Sequence, residues 1–322
     1  MKDDHDKTTL LNIVSARNRI TEFIQETPLE LSLHLSEKYR SRIFLKLENC
    51  QLTGSFKLRG AFNKILSLSK SEKEKGIITA SAGNHGLGVA YAARKLGIAC
   101  KIVTPQNASP AKIQTLQGLE VALVQEGNDY DEAEQAAWEI QKREGLSFIH
   151  AFSDPQIMAG QGTIALEIIE ALPEVGSIVV PIGGGGLIAG VAVAAKALYP
   201  KIKVIGVQSE ASPAMYNSLQ AGKIVETPIA KTVADGLAGR FVTELTLNLT
   251  QQNVDEVVLV SESSIKSAMK MMMEKEHFIV EGSAAVGLAA LLENKIQASA
   301  PVVLIVTGRN IDFNLLKKIM LE

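Results

Sequence analysis

Cysteine is scarce: Cys50 and Cys100 are the two in 322 residues. They fit no CxxC pattern, and a chain of this length buries enough surface to fold without a disulfide. That excludes a disulfide-stapled scaffold and predicts two reduced thiols in a cytoplasmic protein. An excess of one charge is also lacking. Lys and Arg number 33 against 35 Asp and Glu, a formal net charge of −2. No broad positive field is available to hold nucleic acid or an anionic membrane, so a phosphate ligand has to be caught locally. The histidines His5, His34, His85, His150 and His277 have no metal-ligand spacing, and no metal site is expected. No Gly-x-Ser-x-Gly segment supports a hydrolase elbow. The polar start, Met1-Lys2-Asp3-Asp4-His5-Asp6, is not followed by an apolar signal region. The uncharged run 178–195 approaches membrane-spanning length, but Pro181 and four glycines would break such a helix. It reads as a buried strand, a glycine turn and a core helix.

What is present is alternation. Short apolar runs at 42–47, 76–79, 100–104, 120–124, 177–181, 203–207, 256–260 and 302–306 predict strands. Longer patterns at 58–68, 85–96, 111–117, 129–144, 160–171, 187–198, 263–276 and 283–292 predict helices. Such alternation implies right-handed βαβ units and an α/β fold of mostly parallel sheets. The run Lys70-Ser71-Glu72-Lys73-Glu74-Lys75 alternates in sign and reads as solvated helix surface. Residues 221–253 read as long surface loops. Ile265, Ala268, Met269, Met272 and Met273 share one helical face and read as core.

Three segments stand where a strand hands over to a helix, the place where parallel sheets bind ligands. They are Thr53-Gly54-Ser55-Phe56-Lys57-Leu58-Arg59-Gly60, Ser81-Ala82-Gly83-Asn84-His85-Gly86, and Gly183-Gly184-Gly185-Gly186-Leu187. All three should line one rim. Four glycines serve neither packing nor helix propensity, each costing about 1 kcal/mol against Ala inside a helix. They let backbone N–H groups converge on an anion at a helix N-terminus, which predicts a phosphate. The loop alone leaves open which phosphate. Residues 184–189 also fit the GxGxxA dinucleotide variant, with Glu210 where a ribose-binding acid would stand. A nicotinamide-dependent oxidoreductase therefore competes, with a nucleotide-binding sensor behind it. Lys57 favours a different chemistry. It opens a helix beside Phe56 and Leu58, and the helix dipole and burial both depress its pKa. A neutral amine is what Schiff-base chemistry needs.

Together these residues resemble the fold-type II pyridoxal-phosphate (PLP) enzymes, and among them the short threonine and serine dehydratases and serine racemase. The likeness runs from about Ala16 to Asp312. It also takes in Ala159-Gly160-Gln161-Gly162-Thr163, Ala234-Asp235-Gly236, Glu281-Gly282-Ser283-Ala284 and Thr307-Gly308-Arg309-Asn310. It implies two open, mostly parallel twisted sheets flanked by helices, with PLP between a large domain (1–48 plus 152–322) and a small mobile one (49–151). It implies that Lys57 carries the cofactor in Schiff-base linkage and then removes the substrate's α-proton. Gly183, Gly184, Gly185 and Gly186, with the Leu187 N–H, would bind the cofactor phosphate. Asn84 would meet the phenolic oxygen and Thr307 the ring nitrogen, with Phe56 flanking the ring and Glu281 close to it. Ser81, Asn84 and His85 would receive the substrate carboxylate. The implied reaction is dehydration and deamination of L-threonine or L-serine to 2-oxobutanoate or pyruvate and ammonia. A homodimer or homotetramer acting on a small hydroxy-amino acid, with neither nucleic acid nor membrane as partner, is implied as well.

Within the same fold, serine racemase and 3-hydroxyaspartate or hydroxyectoine-pathway dehydratases are the alternatives. Racemases of this family look for a second acid/base just before the Gly-Asn pair, where this chain has Ala82, which transfers no proton. The first carboxylate of their metal site would fall at Gln208, a poorer ligand for Mg²⁺ or Ca²⁺. Arg309 replaces a glycine common at its position. It either adds a charge near the cofactor, favouring a diacid, or faces solvent. The chain ends soon after the last motif, so an isoleucine-sensing domain is not expected.

Overall fold

The computed structural model describes residues 7–298 and 300–322; Met1 to Asp6, with His5 and the acidic start, lie outside them. Among the described residues ten strands form two sheets. The strands are β1 (Leu29–Leu31), β2 (Ile43–Lys46), β3 (Ile77–Ala80), β4 (Cys100–Thr104), β5 (Ala122–Gln125), β6 (Ser147–Phe148), β7 (Ser177–Pro181), β8 (Lys203–Ser209), β9 (Glu256–Val260) and β10 (Val302–Ile305). The larger sheet has the order β1-β2-β10-β7-β8-β9 and the smaller β5-β4-β3-β6. Each pairing is parallel except β1 with β2 at the edge.

Strands β7 and β10 are buried along their whole length, because helices cover both faces of the larger sheet. Ile178, Val180, Val303 and Ile305 point to the helices Pro155–Ala171 and Gly186–Leu198. Val179, Val302 and Leu304 point to Glu262–Lys275 and Gly282–Leu292. Two-sided cover is why these strands read as unbroken apolar runs. The chain leaves the larger sheet after β2, builds the smaller one, and returns for β7. Lys57 follows β2, Asn84 follows β3, Gly183 follows β7 and Thr307 follows β10. All four therefore stand beyond the C-terminal ends of parallel strands, in the seam between the sheets.

Several expectations need correction. The stretch 221–253 is not all loop, since Glu244–Asn253 is a helix opened by a Thr243 capping box. Its buried side chains are Thr246, Leu247 and Thr250, too polar a stripe to register as an apolar face. The helix expected from 160 begins at Pro155, with Asp154 capping the Gln156 and Ile157 N–H groups. The helix Leu10–Ile20 and the short strands β1 and β6 were not anticipated. Met273 is 39% exposed while Ile265, Ala268, Met269 and Met272 are buried, so the apolar stripe is narrower than expected. The uncharged run 178–195 is β7, a turn and part of a helix, and no helix among the described residues is long and apolar enough to cross a membrane.

Candidate active site

The seam holds a cavity of about 750 Å³. Phe56, Lys57, Ser81, Asn84, His85, Gly183, Gly184, Gly186, Leu187, Glu281 and Thr307 all line it. Gly185 stands between Gly184 and Gly186 in the same loop. It caps the helix Gly186–Leu198 at φ +94°, a left-handed value that admits glycine readily. Glu210 is outside the cavity lining. It is exposed and faces Lys295 at 3.8 Å, so the acid of the dinucleotide reading is not at the loop.

Lys57 is the first residue of the helix Lys57–Ser67, and it is half-buried in the cavity lining. Its Nζ donates to Ala151 O at 2.8 Å and stands 5.4 Å from the centre of the Phe56 ring. Burial pushes the amine down to about 8, with Glu281 opposing. The helix is held from behind by a buried ionic network. Arg59 is fully buried and donates from Nε and Nη2 to both oxygens of Glu48, each at 2.8 Å. It also donates from Nη2 to Glu167 at 2.9 Å, and Lys46 Nζ bonds the same Glu167 carboxylate. Two cations thus balance two carboxylates. In front, Phe56 N–H donates to Thr307 O at 3.1 Å, which places the lysine beside the β10 end.

Asn84 donates to both carboxylate oxygens of Glu281, at 2.8 and 3.0 Å, and its Oδ1 accepts from Asn310 Nδ2 at 2.7 Å. Burial pushes the Glu281 carboxyl up to about 7, with the Asn84 amide working against it. Ser81 Oγ accepts the Gly83 N–H at 3.1 Å. His85 stands in the first turn of the helix Asn84–Leu96. Its ring is buried with Nε2 3.0 Å from Ile149 O, and burial first, then Lys57, hold it down to about 3. What His85 offers the cavity is its backbone N–H in the first turn of the helix Asn84–Leu96, where such groups have no intrahelical partner. Arg309 is exposed and packs along Gly54, which selects the solvent-facing alternative. Gln208 Oε1 accepts the Tyr216 N–H at 2.8 Å and is engaged within the fold.

The cavity suits a phosphorylated pyridine aldehyde. Thr307 Oγ1 and Ser283 Oγ are buried, belong to residues that line it and have no hydrogen-bond partner among the described residues, which matches a ligand with polar ring atoms. Ser283 had no role assigned from sequence; an orphaned hydroxyl shows itself only after folding. The bare loop at a helix N-terminus matches the phosphate, and the low-pKa lysine matches the aldehyde. A family model described as "Pyridoxal-phosphate dependent enzyme" matches residues 20–308. The chain belongs to that family. This PLP enzyme is 45% identical to the L-threonine ammonia-lyase of Thermotoga maritima, over 97% of this chain and 78% of that protein. It is 43% identical to the catabolic L-threonine dehydratase TdcB of Staphylococcus aureus, over 94% and 89%. It is similar to maize serine racemase with a TM-score of 0.93 at 35% identity, over 98% and 97% of the chains. The nicotinamide reading is thereby overturned.

The glycine loop also corrects one premise, because packing does demand glycine there. A Cβ on Gly184 would lie 2.6 Å from Phe152 ring atoms. Gly184→Ala is therefore expected to weaken PLP binding to the apoenzyme at least about tenfold, the effect of an overpacked methyl. Fluorescence titration reads this, and wild-type affinity would show that the loop has room.

Proposed function

We propose that this enzyme eliminates water from L-threonine, L-serine or both, and that the enamine so formed regains water as it loses ammonia, yielding 2-oxobutanoate or pyruvate. The observation that carries this reading is the buried Lys57 amine opening into one cavity with the glycine loop and Thr307. The activities for which the two bacterial relatives are named support it. When bound, PLP supplies an aldehyde that condenses with amines and a ring that draws in the electron pair left at the substrate's α-carbon. Gly183, Gly184, Gly185 and Gly186, with the Leu187 N–H, would hold its phosphate. Lys57, whose pKa burial lowers to about 8, takes the proton from the substrate's α-carbon when its amine is neutral. The first N–H groups of the helix Asn84–Leu96, beside Ser81, orient the substrate carboxylate. Thr307 presents a neutral hydroxyl, which cannot hold a proton on the ring nitrogen as a carboxylate would. Such a setting would favour prompt loss of hydroxide from the neighbouring carbon once the α-proton has gone to Lys57. The released enamine takes up water and sheds ammonia, so the net products are one 2-oxo acid and one ammonia.

The walls argue against a diacid substrate. Asp129, Asp131, Glu134 and Asp235 line the cavity, and its cations other than Lys57 are paired, Lys112 with Asp235 and Arg240 with Asp129 and Asp131. A second substrate carboxylate would face these acids without a free cation. Ala82 lines the cavity where a racemase would need an acid/base. The test is 2-oxo acid release from L-threonine, L-serine, D-serine and 3-hydroxyaspartate, expected with the first two; release from 3-hydroxyaspartate alone would overturn the reading. Ala82→Ser is expected to raise serine racemisation relative to elimination, and an unchanged ratio counts against the role given to that position. The same reading takes 49–151 as a small moving unit and the enzyme as a cytoplasmic homodimer or homotetramer, which scattering and sedimentation would check.

A further inference from the structure

The segment after β6 runs between the two ends of the site. His150 Nδ1 accepts two backbone N–H groups, from Phe152 at 3.1 Å and from Ser153 at 2.9 Å. A ring nitrogen that accepts twice carries no proton, so the imidazole is the Nε2–H tautomer. Burial agrees, pushing His150 down to about 4. The ring thus closes a tight turn over 150–153, and it meets the Phe152 ring edge-on with 4.7 Å between centres.

Both residues that the turn presents touch the site. Ala151 O accepts from Lys57 Nζ at 2.8 Å. Phe152 presses on the glycine loop, where a Cβ on Gly186 would stand 2.6 Å from the Phe152 carbonyl oxygen. Ser153 Oγ lies 2.7 Å from Thr243 Oγ1, at the cap of the helix Glu244–Asn253. That helix supports the loop from its other side, where a Cβ on Gly185 would meet Thr246 Cβ at 2.9 Å. We infer that His150 is a positioning residue whose Nδ1 fixes the 150–153 turn and so sets the spacing between the Lys57 amine and the phosphate loop. The inference rests on Lys57 being the amine that carries the cofactor. PLP has a nearly fixed length from aldehyde to phosphate, so one turn that places both partners favours binding through preorganisation.

The other ring nitrogen faces different groups. Nε2 stands 4.0 Å from Glu134 Oε1, which accepts from Tyr130 OH at 2.9 Å. Two substitutions separate the two faces. His150→Asn keeps an acceptor at about the place of Nδ1, whereas His150→Gln keeps a polar group near Nε2 and lacks the inner acceptor. The apoenzyme of His150→Gln is expected to bind PLP at least about tenfold more weakly and His150→Asn within about threefold of wild type, the size of one or two lost hydrogen bonds. The visible band of the lysine-linked cofactor should also develop more slowly in the Gln variant alone. Equal losses in both variants, no loss in either, or a loss confined to Asn would each overturn the inference. Lys57→Ala, measured alongside, must fail to form the band. If it forms, the assignment of Lys57 has failed and not the role of the turn.

Discussion

Lys57→Ala is expected to lower 2-oxo acid release by on the order of 10⁴-fold or more, since under the proposed function it would remove both the anchor for the aldehyde and the base for the α-proton. The fold should survive. Lys57 makes one hydrogen bond, to Ala151 O, and its helix is held by Arg59, Phe56 and the apolar face of Leu58, Phe62 and Ile65. Far-ultraviolet circular dichroism should therefore match wild type while the visible band and its sensitivity to borohydride vanish. A variant with more than about a tenth of wild-type turnover would remove Lys57 from the mechanism. The same amine sets a pH dependence. Burial lowers its pKa from the ordinary lysine value to about 8, and the neutral form is the one that condenses. Cofactor attachment to the apoenzyme should thus speed up as pH rises and level off above about 8, where the amine is mostly neutral. A rate still climbing steeply at pH 10 would mean an amine with the ordinary pKa of a solvated lysine.

Arg59→Met is expected to destabilise the protein by about 3–5 kcal/mol, the usual result of removing one partner from a buried ion pair. Arg59 is fully buried between Glu48 and Glu167, and Lys46 would remain as the cation at Glu167. Burial alone would push the Glu167 carboxyl up, but Arg59 and Lys46 together hold it below its ordinary value. Without Arg59, one carboxylate must take up a proton or stay charged in a dry interior. Urea denaturation reads the loss, and a change under about 1 kcal/mol would mean that water reaches the pair as it does at a surface. The network joins β2, the Lys57 helix and the helix Pro155–Ala171. The lysine therefore stands on a platform tied to the larger sheet.

How legible each part was follows from how local its cause is. The strands β4, β7 and β9 stand where their apolar runs predicted, with the same bounds. They are bounded by Gly, Pro or polar turns, a signal carried within a few residues. The helix Glu244–Asn253 escaped because two of its three buried residues are threonines, of which Thr246 stands beside Gly185 of the glycine loop. Gly184 was legible as a glycine that must be bare, but the reason lay 32 positions earlier in Phe152. His85 illustrates the reverse case. Its position at a helix start was read correctly, while the direction of its ring depended on the carbonyl of Ile149 across the sheet.

The amino-acid order by itself determined a mostly parallel α/β fold, a bare glycine loop at a helix N-terminus and one lysine opening a helix. Each of these is written in residues that neighbour one another along the chain. Tertiary structure alone decided that Ala151 O receives the Lys57 amine across a separation of 94 residues. It also decided that Arg59 lies between two acids, and that Thr307 and Ser283 keep unpartnered hydroxyls in the cavity. Those contacts arise because the chain builds a second sheet between two visits to the first. Segments that meet in the seam are distant in sequence, so the pairing leaves no periodic trace in either one.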